Sequence, residues 1–230
     1  MFTYLLLILI WLVVSCIGAM VLSIRWTSKS ILFISLLIPA ILLLICDHFL
    51  VTREVWKFTD QFRLGITLWQ MPLEHILIVP ILSLPLLLFF QKLSLNKNTE
   101  RLNQIALVIN AFVLLFLMIT VFKNFNRYFA YLLYWLAAFY MTLLLMNKVK
   151  WMLTYYISFL LSLPLVLSVY IILLKLPLLE VNSSMVSGHR LMEVPLEFLL
   201  YYFLLSMMSC SLFSFLNKRF EIRENRQSNK

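Results

Sequence analysis

The chain has 230 residues, of which 63% are hydrophobic and 13% are charged, and its formal net charge is +9. Soluble domains are nearer to about 45–50% apolar and about 25% charged, so this composition excludes an ordinary soluble domain. The positive charge favours the basic cytoplasmic loops of a membrane protein over a nucleic-acid-binding groove, which needs a soluble surface.

Apolar runs recur along the whole chain, and each is long enough to cross a bilayer as a helix of about 20 residues. The first run lacks the small-residue cleavage site of a signal peptide, so we interpret it as a retained helix. The three cysteines all lie in apolar runs, which predicts no disulfide framework. The seven predicted spans are 2–24, 31–52, 66–91, 105–122, 127–147, 152–174 and 193–216.

Three polar segments separate or follow these runs. Residues 53–63 carry several aromatic side chains and are predicted to form an interfacial turn. Residues 92–104 are rich in Lys, Asn, Thr and Glu and indicate a linker. The segment after Asn217 is charged and is expected to be disordered.

Two segments share the pattern Gly-x-x-Leu-x-x-x-Pro-Leu-Glu. The first contains Gly65 and Pro72, and the second contains Gly188 and Pro195, each 123 positions later. The chain has only three glycines and seven prolines, so the recurrence indicates an internal repeat. We interpret these glycines and prolines as structural motif residues.

The repeat and the odd number of spans predict an all-α integral membrane fold. Its seven transmembrane helices consist of two parallel three-helix repeats plus a connector helix. Two consecutive three-helix copies would have opposite orientations in the membrane, and one extra helix between them gives both copies the same orientation. The predicted units are residues 1–95 for the first repeat, 96–126 for the linker and connector, 127–217 for the second repeat and 218–230 for a charged cytoplasmic tail.

The distribution of lysine and arginine predicts the orientation. Of the 19 basic residues, 7 lie in segments on the same side of the membrane as the N-terminus, and 12 lie in segments on the opposite side. Because cytoplasmic loops carry an excess of Lys and Arg, we expect the C-terminus in the cytoplasm and the N-terminus outside a bacterial-type cell membrane.

Three acidic residues lie inside apolar runs and are candidate catalytic groups: Glu74, Glu197 and Asp47. A charge at the bilayer centre costs about 2.5–3.5 kcal/mol on insertion scales, so such acids are functional candidates by default. The alternative for Glu74 and Glu197 is a structural role. Each would lie in the first turn of a helix that begins at the preceding proline, where a negative charge suits the positive end of the helix dipole. The alternative for Asp47 is a place among the lipid headgroups.

Aromatic and basic residues supply candidates for substrate binding. Trp56, Trp69, Tyr201 and Tyr202 are candidates to line a polyene pocket, although interfacial anchoring is the favoured explanation for each of them alone. Arg190 is interpreted either as a partner of Glu197 or as an interfacial arginine. His75 follows Glu74 and is either its proton partner or a polar residue that faces a neighbouring helix.

The sequence lacks the motifs of several other classes of functional site. The three histidines do not have the spacing of metal ligands, so no metal site is expected. Three scattered glycines cannot build a dinucleotide or phosphate loop, and there is no Asp-rich prenyl-diphosphate motif. The sequence therefore predicts no cofactor.

The motifs, in their order, resemble those of the small integral-membrane lycopene cyclases. Ile45-Cys-Asp47-His, Val55-Trp56-Lys-Phe58, Leu64-Gly65 and Pro72-Leu73-Glu74 are similar to the first half of that family. Gly188-His-Arg190-Leu, Val194-Pro195-Leu196-Glu197 and Tyr201 are similar to the second half, as in a fused two-copy form. The family usually has a second acid after Pro-Leu-Glu, and these positions here hold His75 and Phe198.

The resemblance implies an enzyme of the intramolecular lyase or isomerase class. It would form ionone-type rings on lycopene or a similar acyclic carotenoid by redox-neutral acid–base isomerisation within the membrane. Such chemistry needs a carboxylic acid kept protonated by apolar surroundings, a base and a dry aromatic cavity. The expected partners are the carotenoid and membrane lipid, without nucleic acid. The oligomeric state is left open, with a homo-oligomer among the alternatives.

Two alternatives remain open on the sequence. One is a divergent non-catalytic relative, since the second acids are replaced. The other is a small membrane transporter or lipid-binding protein, whose parallel repeats frame a midplane site with Glu74 and Glu197 as ligands for a proton or cation.

Overall fold

The computed structural model describes residues 3–21, 29–59, 64–94, 100–176 and 178–228. Within these ranges the chain is mostly helical. The helices are α1 (Thr3–Val21), α2 (Lys29–Thr52), α3 (Leu73–Leu82), α4 (Leu84–Ser94), α5 (Glu100–Lys123), α6 (Tyr128–Met146), α7 (Met152–Lys175) and α8 (Leu196–Ser228). Six short strands are β1 (Trp56–Phe58), β2 (Thr67–Leu68), β3 (Met71–Pro72), β4 (Leu179–Val181), β5 (Arg190–Leu191) and β6 (Val194–Pro195).

Six helical stretches in the described ranges are long and apolar enough to cross a membrane. A seventh apolar stretch, Leu5–Gly18, lies within α1 and is shorter. Together they indicate a helical membrane protein, as the sequence predicts. The six candidate spans are Lys29–Thr52, Leu73–Leu93, Asn103–Lys123, Tyr128–Met146, Met152–Lys175 and Leu196–Phe220.

The third predicted span is interrupted. Helix α3 ends at Leu82, Ser83 forms a turn, and α4 begins at Leu84. Pro80 and Pro85 flank this turn and have no amide hydrogen to donate to the preceding helical turn. The prolines therefore explain why one apolar segment forms two consecutive helices.

Two β-hairpins precede α3 and α8. Strand β2 pairs with β3, and β5 pairs with β6, in the same antiparallel register 123 positions apart. The two-residue turns have positive φ at both positions, with 52° and 63° in the first hairpin and 48° and 72° in the second, as type I′ turns require. The expected helical spans over 66–91 and 193–216 are therefore wrong at their first residues, since the helices begin only at Leu73 and Leu196.

Strands β1 and β4 join the two halves of the chain. They pair antiparallel, with Trp56 opposite Val181, Lys57 opposite Glu180 and Phe58 opposite Leu179. Lys57 and Glu180 are themselves 123 positions apart, so the register is symmetric about this central pair. Helices α2 and α7 also begin and end at residues separated by that offset.

The helices pack around a shared core. Helix α2 packs against α8 and α3, α4 packs against α7, and α6 packs against α5 and α8. Helix α8 continues to Ser228, so the expected disordered tail is wrong for residues 218–228; residues 229–230 lie outside the described ranges. The predicted interfacial turn contains strand β1, and its residues 60–63 also lie outside those ranges.

Candidate functional site

Asp47, His75 and Tyr201 form a buried polar cluster between α2, α3 and α8. The Asp47 side chain is fully buried, and its Oδ2 atom lies 3.1 Å from Nε2 of His75. The hydroxyl of Tyr201 donates a hydrogen bond of 2.7 Å to the same oxygen. The other carboxylate oxygen, Oδ1, is buried without a hydrogen-bond partner among the described residues. The cluster therefore places a carboxylate, an imidazole and a phenol within one hydrogen-bonded unit.

A cavity of about 30 Å³ lies beside this cluster. His75 and Tyr201 line it, which brings the polar unit to its wall. Such a volume holds one or two water molecules. The remaining wall is aromatic and aliphatic and is formed by Trp56, Ile78, Val79, Leu82, Val169, Tyr170, Leu173, Leu179 and Phe198.

Trp56 is the centre of the aromatic wall. Its ring centroid lies 6.2 Å from that of His75, 5.8 Å from that of Phe198 and 6.4 Å from that of Tyr201. Tyr170 stacks on Phe198 with a centroid separation of 5.2 Å. The indole Nε1 of Trp56 is buried and has no acceptor among the described residues. The wall therefore places several aromatic rings close to the polar side of the cavity.

Glu74 and Glu197 bind loop backbone instead. Oε1 of Glu74 accepts a 2.5 Å hydrogen bond from the amide of Leu64, and Oε1 of Glu197 accepts a 2.5 Å hydrogen bond from the amide of Ser187. Both side chains are buried, and the second oxygen of each has no hydrogen-bond partner among the described residues. Neither residue lines the cavity. The two equivalent positions thus hold two separate loops, and the structure does not bring the two carboxylates together in one midplane site.

Trp69 and Arg190 lie away from the cavity. Trp69 is 58% exposed in the turn of the first hairpin, where its carbonyl oxygen lies 3.0 Å from Nδ1 of His48. Arg190 is exposed in β5 and forms no ion pair with Glu197, whose Oε1 atom accepts from the Ser187 amide. The structure therefore does not place Trp69 in this cavity, and of the two alternatives for Arg190 it does not show the pairing with Glu197.

The repeated glycines and prolines have matching structural positions. Gly65 and Gly188 both have a φ of 82°, in the left-handed region that only glycine adopts without strain. Pro72 is the N-cap of α3, and Pro195 ends β6 directly before α8. The amide of Leu73 bonds to the carbonyl of Ile66, and that of Leu196 bonds to the carbonyl of His189, so both hairpins lead into a helix by the same geometry.

Residues 123 positions apart differ in chemistry across the cavity. Asp47 corresponds to Tyr170, His75 to Phe198, and Ile78 to Tyr201. The first half of the chain contributes both the carboxylate and the imidazole. The second half contributes the stacked rings of Tyr170 and Phe198 and the hydroxyl of Tyr201. The cavity is therefore assembled from both halves, but its titratable carboxylate and imidazole come from one of them.

Sequence reasoning missed part of this arrangement. It gave His75 either Glu74 or a neighbouring helix as its surroundings, and the imidazole bonds to Asp47 of the neighbouring helix α2, 28 positions earlier. It did not identify Tyr170 or Phe198 as pocket residues. A signal was present for His75 and Phe198, because they occupy equivalent positions directly after the two Pro-Leu-Glu motifs, and both line the cavity.

Comparisons with protein families, curated proteins and solved structures found no match to this chain. The functional argument therefore depends on the site itself.

Proposed function

We propose that this protein is an intramembrane acid–base isomerase that cyclises the end of an acyclic polyene, as its resemblance to lycopene cyclases implies. The observation that carries the proposal is the Asp47–His75–Tyr201 cluster at the wall of an otherwise apolar, aromatic cavity. A polar unit that can give and accept a proton is here combined with surroundings suited to a hydrocarbon. The substrate class is lycopene or a similar carotenoid.

The reaction is balanced in protons and needs no redox partner. The Asp47–His75 unit gives one proton to the terminal carbon–carbon double bond, which forms a carbocation. A neighbouring alkene attacks this cation and closes the ring, and loss of a proton from an adjacent carbon restores a double bond. That proton returns to the same polar unit, so one acid–base pair serves both steps.

The aromatic wall stabilises the positive charge during this sequence. The rings of Trp56, Phe198 and Tyr170 line the cavity together with His75, and an aromatic face turned toward a cation attracts it. Tyr201 holds the Asp47 oxygen that faces His75 and thereby orients the pair. Because the cavity has room for only one or two waters, a polyene end enters only when the surrounding side chains separate.

We also infer two copies of a three-helix unit. The equal offsets of the hairpins, of α2 and α7 and of the β1–β4 register support this architecture. In it, α1 forms the first of seven spans, and α5 is the connector. The excess of basic residues supports a cytoplasmic C-terminus and an outside N-terminus in a bacterial-type membrane.

The direct test is pigment analysis in a lycopene-accumulating bacterial host that expresses the full chain. The unsubstituted protein is expected to give monocyclic or bicyclic product. Asp47→Asn and His75→Gln should each lower product formation by about 10²–10⁴-fold, because each removes one half of the proton-transfer pair. Tyr202→Phe is a matched control, since its buried hydroxyl bonds to Ser162 and does not line the cavity.

Unchanged lycopene in a host with well-inserted protein contradicts the cyclase proposal and favours a non-catalytic relative or a transporter. Equal losses in Asp47→Asn and Tyr202→Phe indicate a general packing defect. Proton uptake by proteoliposomes containing the chain, abolished by Asp47→Asn, identifies the transporter alternative.

A further inference from the structure

A second, larger cleft lies far from the cavity described above, between α5, α6 and the turn into α7. Its volume is about 580 Å³. It lies at the C-terminal end of α6, whose N-terminal end contacts the loop before the second hairpin through the amide of Ala130 and the carbonyl of Met185. A 19-residue helix is about 28 Å long, so this cleft and the hairpins are at opposite ends of the bundle.

The lining of this cleft combines positive charge, amide groups and apolar side chains. Lys148 and Lys150 lie in the α6–α7 turn at its mouth, and Leu107 and Val149 contribute apolar surface. The acidic residues whose side chains the structure describes are all found toward the hairpin end of the bundle: Asp47, Glu54, Glu74, Glu180, Glu193 and Glu197. Within the described part of the chain, the cleft is therefore basic and has no carboxylate in its lining.

Two asparagines of α5 place further polar groups in the cleft. Asn110 is buried, and its Oδ1 accepts a 2.6 Å hydrogen bond from Tyr156, which orients the side-chain amide. The Oδ1 atom of Asn103 is buried without a hydrogen-bond partner among the described residues. The cleft thus presents donors for an anion and an acceptor for a hydroxyl.

Lys148 is held at the mouth of this cleft by an unusual backbone conformation. Its amide bonds to the carbonyl of Leu145, and that of Val149 bonds to the carbonyl of Leu144, which is the Schellman pattern for a helix end. The φ of Lys148 is 48°, at a position where glycine is normally found. A lysine that tolerates this conformation is consistent with a role for its ammonium group, because strained positions persist where function requires them.

From these observations we propose that the cleft binds the headgroup of an anionic phospholipid with a hydroxylated headgroup, of the phosphatidylglycerol class. The phosphodiester contacts Lys148, Lys150 and the Asn110 amide, the headgroup hydroxyl donates to Asn103, and the acyl chains follow the apolar surface of α5. Basic pockets between transmembrane helices recognise anionic lipids in this way. The site is independent of the proposed isomerase activity.

The test measures the thermal midpoint of the full-length protein in detergent during titration with phosphatidylglycerol or phosphatidylcholine. Phosphatidylglycerol should stabilise the protein at lower concentrations than phosphatidylcholine does. Lys148→Gln/Lys150→Gln should weaken the apparent affinity by roughly 30-fold, which corresponds to about one kcal/mol for each basic residue. The matched control Lys57→Gln/Lys175→Gln removes two exposed lysines at the hairpin end and should retain the affinity.

Lys148→Gly separates binding from folding. Glycine relieves the positive φ, so the midpoint without added lipid should stay equal or rise, while stabilisation by phosphatidylglycerol should fall. Equal losses in both double variants, or no loss in either, overturn the proposal. Saturation by inorganic phosphate at the affinity of the lipid identifies a free-phosphate site instead and also overturns it.

Discussion

At the scale of single residues, Glu74 and Glu197 show how equivalent sequence positions acquire a structural role. Each lies in the first turn of a helix and binds the amide ten positions before it in the chain. This bond ties the loop ahead of the hairpin to the helix behind it. The first-turn interpretation of the Pro-Leu-Glu motif therefore describes the position well, although the acceptor is used by a preceding loop amide.

Loss of these acceptors should be costly. Glu74→Ala and Glu197→Ala are each expected to lower the free energy of unfolding by about 1–3 kcal/mol, because a loop amide loses its partner. Glu74→Gln and Glu197→Gln keep an acceptor oxygen and should cost less. Thermal unfolding in detergent measures these differences. Glu193→Ala is the control, since Glu193 is exposed and lies 3.8 Å from Lys175, a pair worth at most about 1 kcal/mol.

The same Gln variants decide whether the glutamates also take part in chemistry. If they only hold the loops, product formation in the lycopene-accumulating host stays near that of the unsubstituted chain. A loss of about 10²-fold or more without a loss of stability contradicts the loop-holding role and restores the catalytic assignment made from sequence.

The polar cluster could not be derived from the sequence in full. Asp47 was identified because an acid within an apolar run is costly unless it is partnered. Its partners Tyr201 and His75 are separated from it by 154 and 28 positions, so only the packing of α2 against α3 and α8 brings them together. Side-chain direction decides which of the adjacent residues Glu74 and His75 reaches the cavity, and residue spacing alone did not reveal it.

At the scale of elements, the predictions were most accurate for uninterrupted apolar helices. The predicted spans 127–147 and 152–174 agree with α6 and α7 to within one residue at each end. The hairpins were missed because their turns contain Trp69-Gln70 and Met192-Glu193 instead of the Asn-Gly or Asp-Gly pairs that signal a type I′ turn. Their positive φ values arise from the fold around them.

Glycine substitutions test the hairpin geometry. Gly65→Ala should lower the free energy of unfolding by about 1–2 kcal/mol, since its φ of 82° is strained for any residue with a Cβ atom. Gly18→Ala is the matched control, because Gly18 lies within α1 and an added Cβ meets no atom within 4 Å. There the same change should stabilise the helix by roughly 0.5–1 kcal/mol. Equal effects of both substitutions, measured by thermal unfolding, contradict the assigned backbone conformations.

At the scale of the whole molecule, the β1–β4 pair is the contact that relates the two halves most directly. Lys57 and Glu180 face each other across it, and antiparallel partners have Cα atoms about 4.5–5.5 Å apart, within the range of a disulfide. Lys57→Cys/Glu180→Cys should therefore cross-link under mild oxidation. Lys57→Cys/Lys148→Cys, with thiols at opposite ends of the bundle, should not. Failure of the first pair, with both thiols reactive, contradicts the pairing of the two copies.

The orientation of the molecule gives the final prediction. The hairpin end contains the described carboxylates, and the opposite end contains Lys148 and Lys150, which matches the side assigned to the cytoplasm by the excess of basic residues. A membrane-impermeant maleimide should label Lys57→Cys in intact cells, and it should label Lys150→Cys only after permeabilisation. The unsubstituted chain sets the background, because Cys16, Cys46 and Cys210 lie within helices. The reverse pattern inverts the orientation and moves the proposed lipid site to the outer leaflet. The proposed two-copy architecture is unaffected, because the hairpin registers and the β1–β4 pairing do not depend on which side faces the cytoplasm.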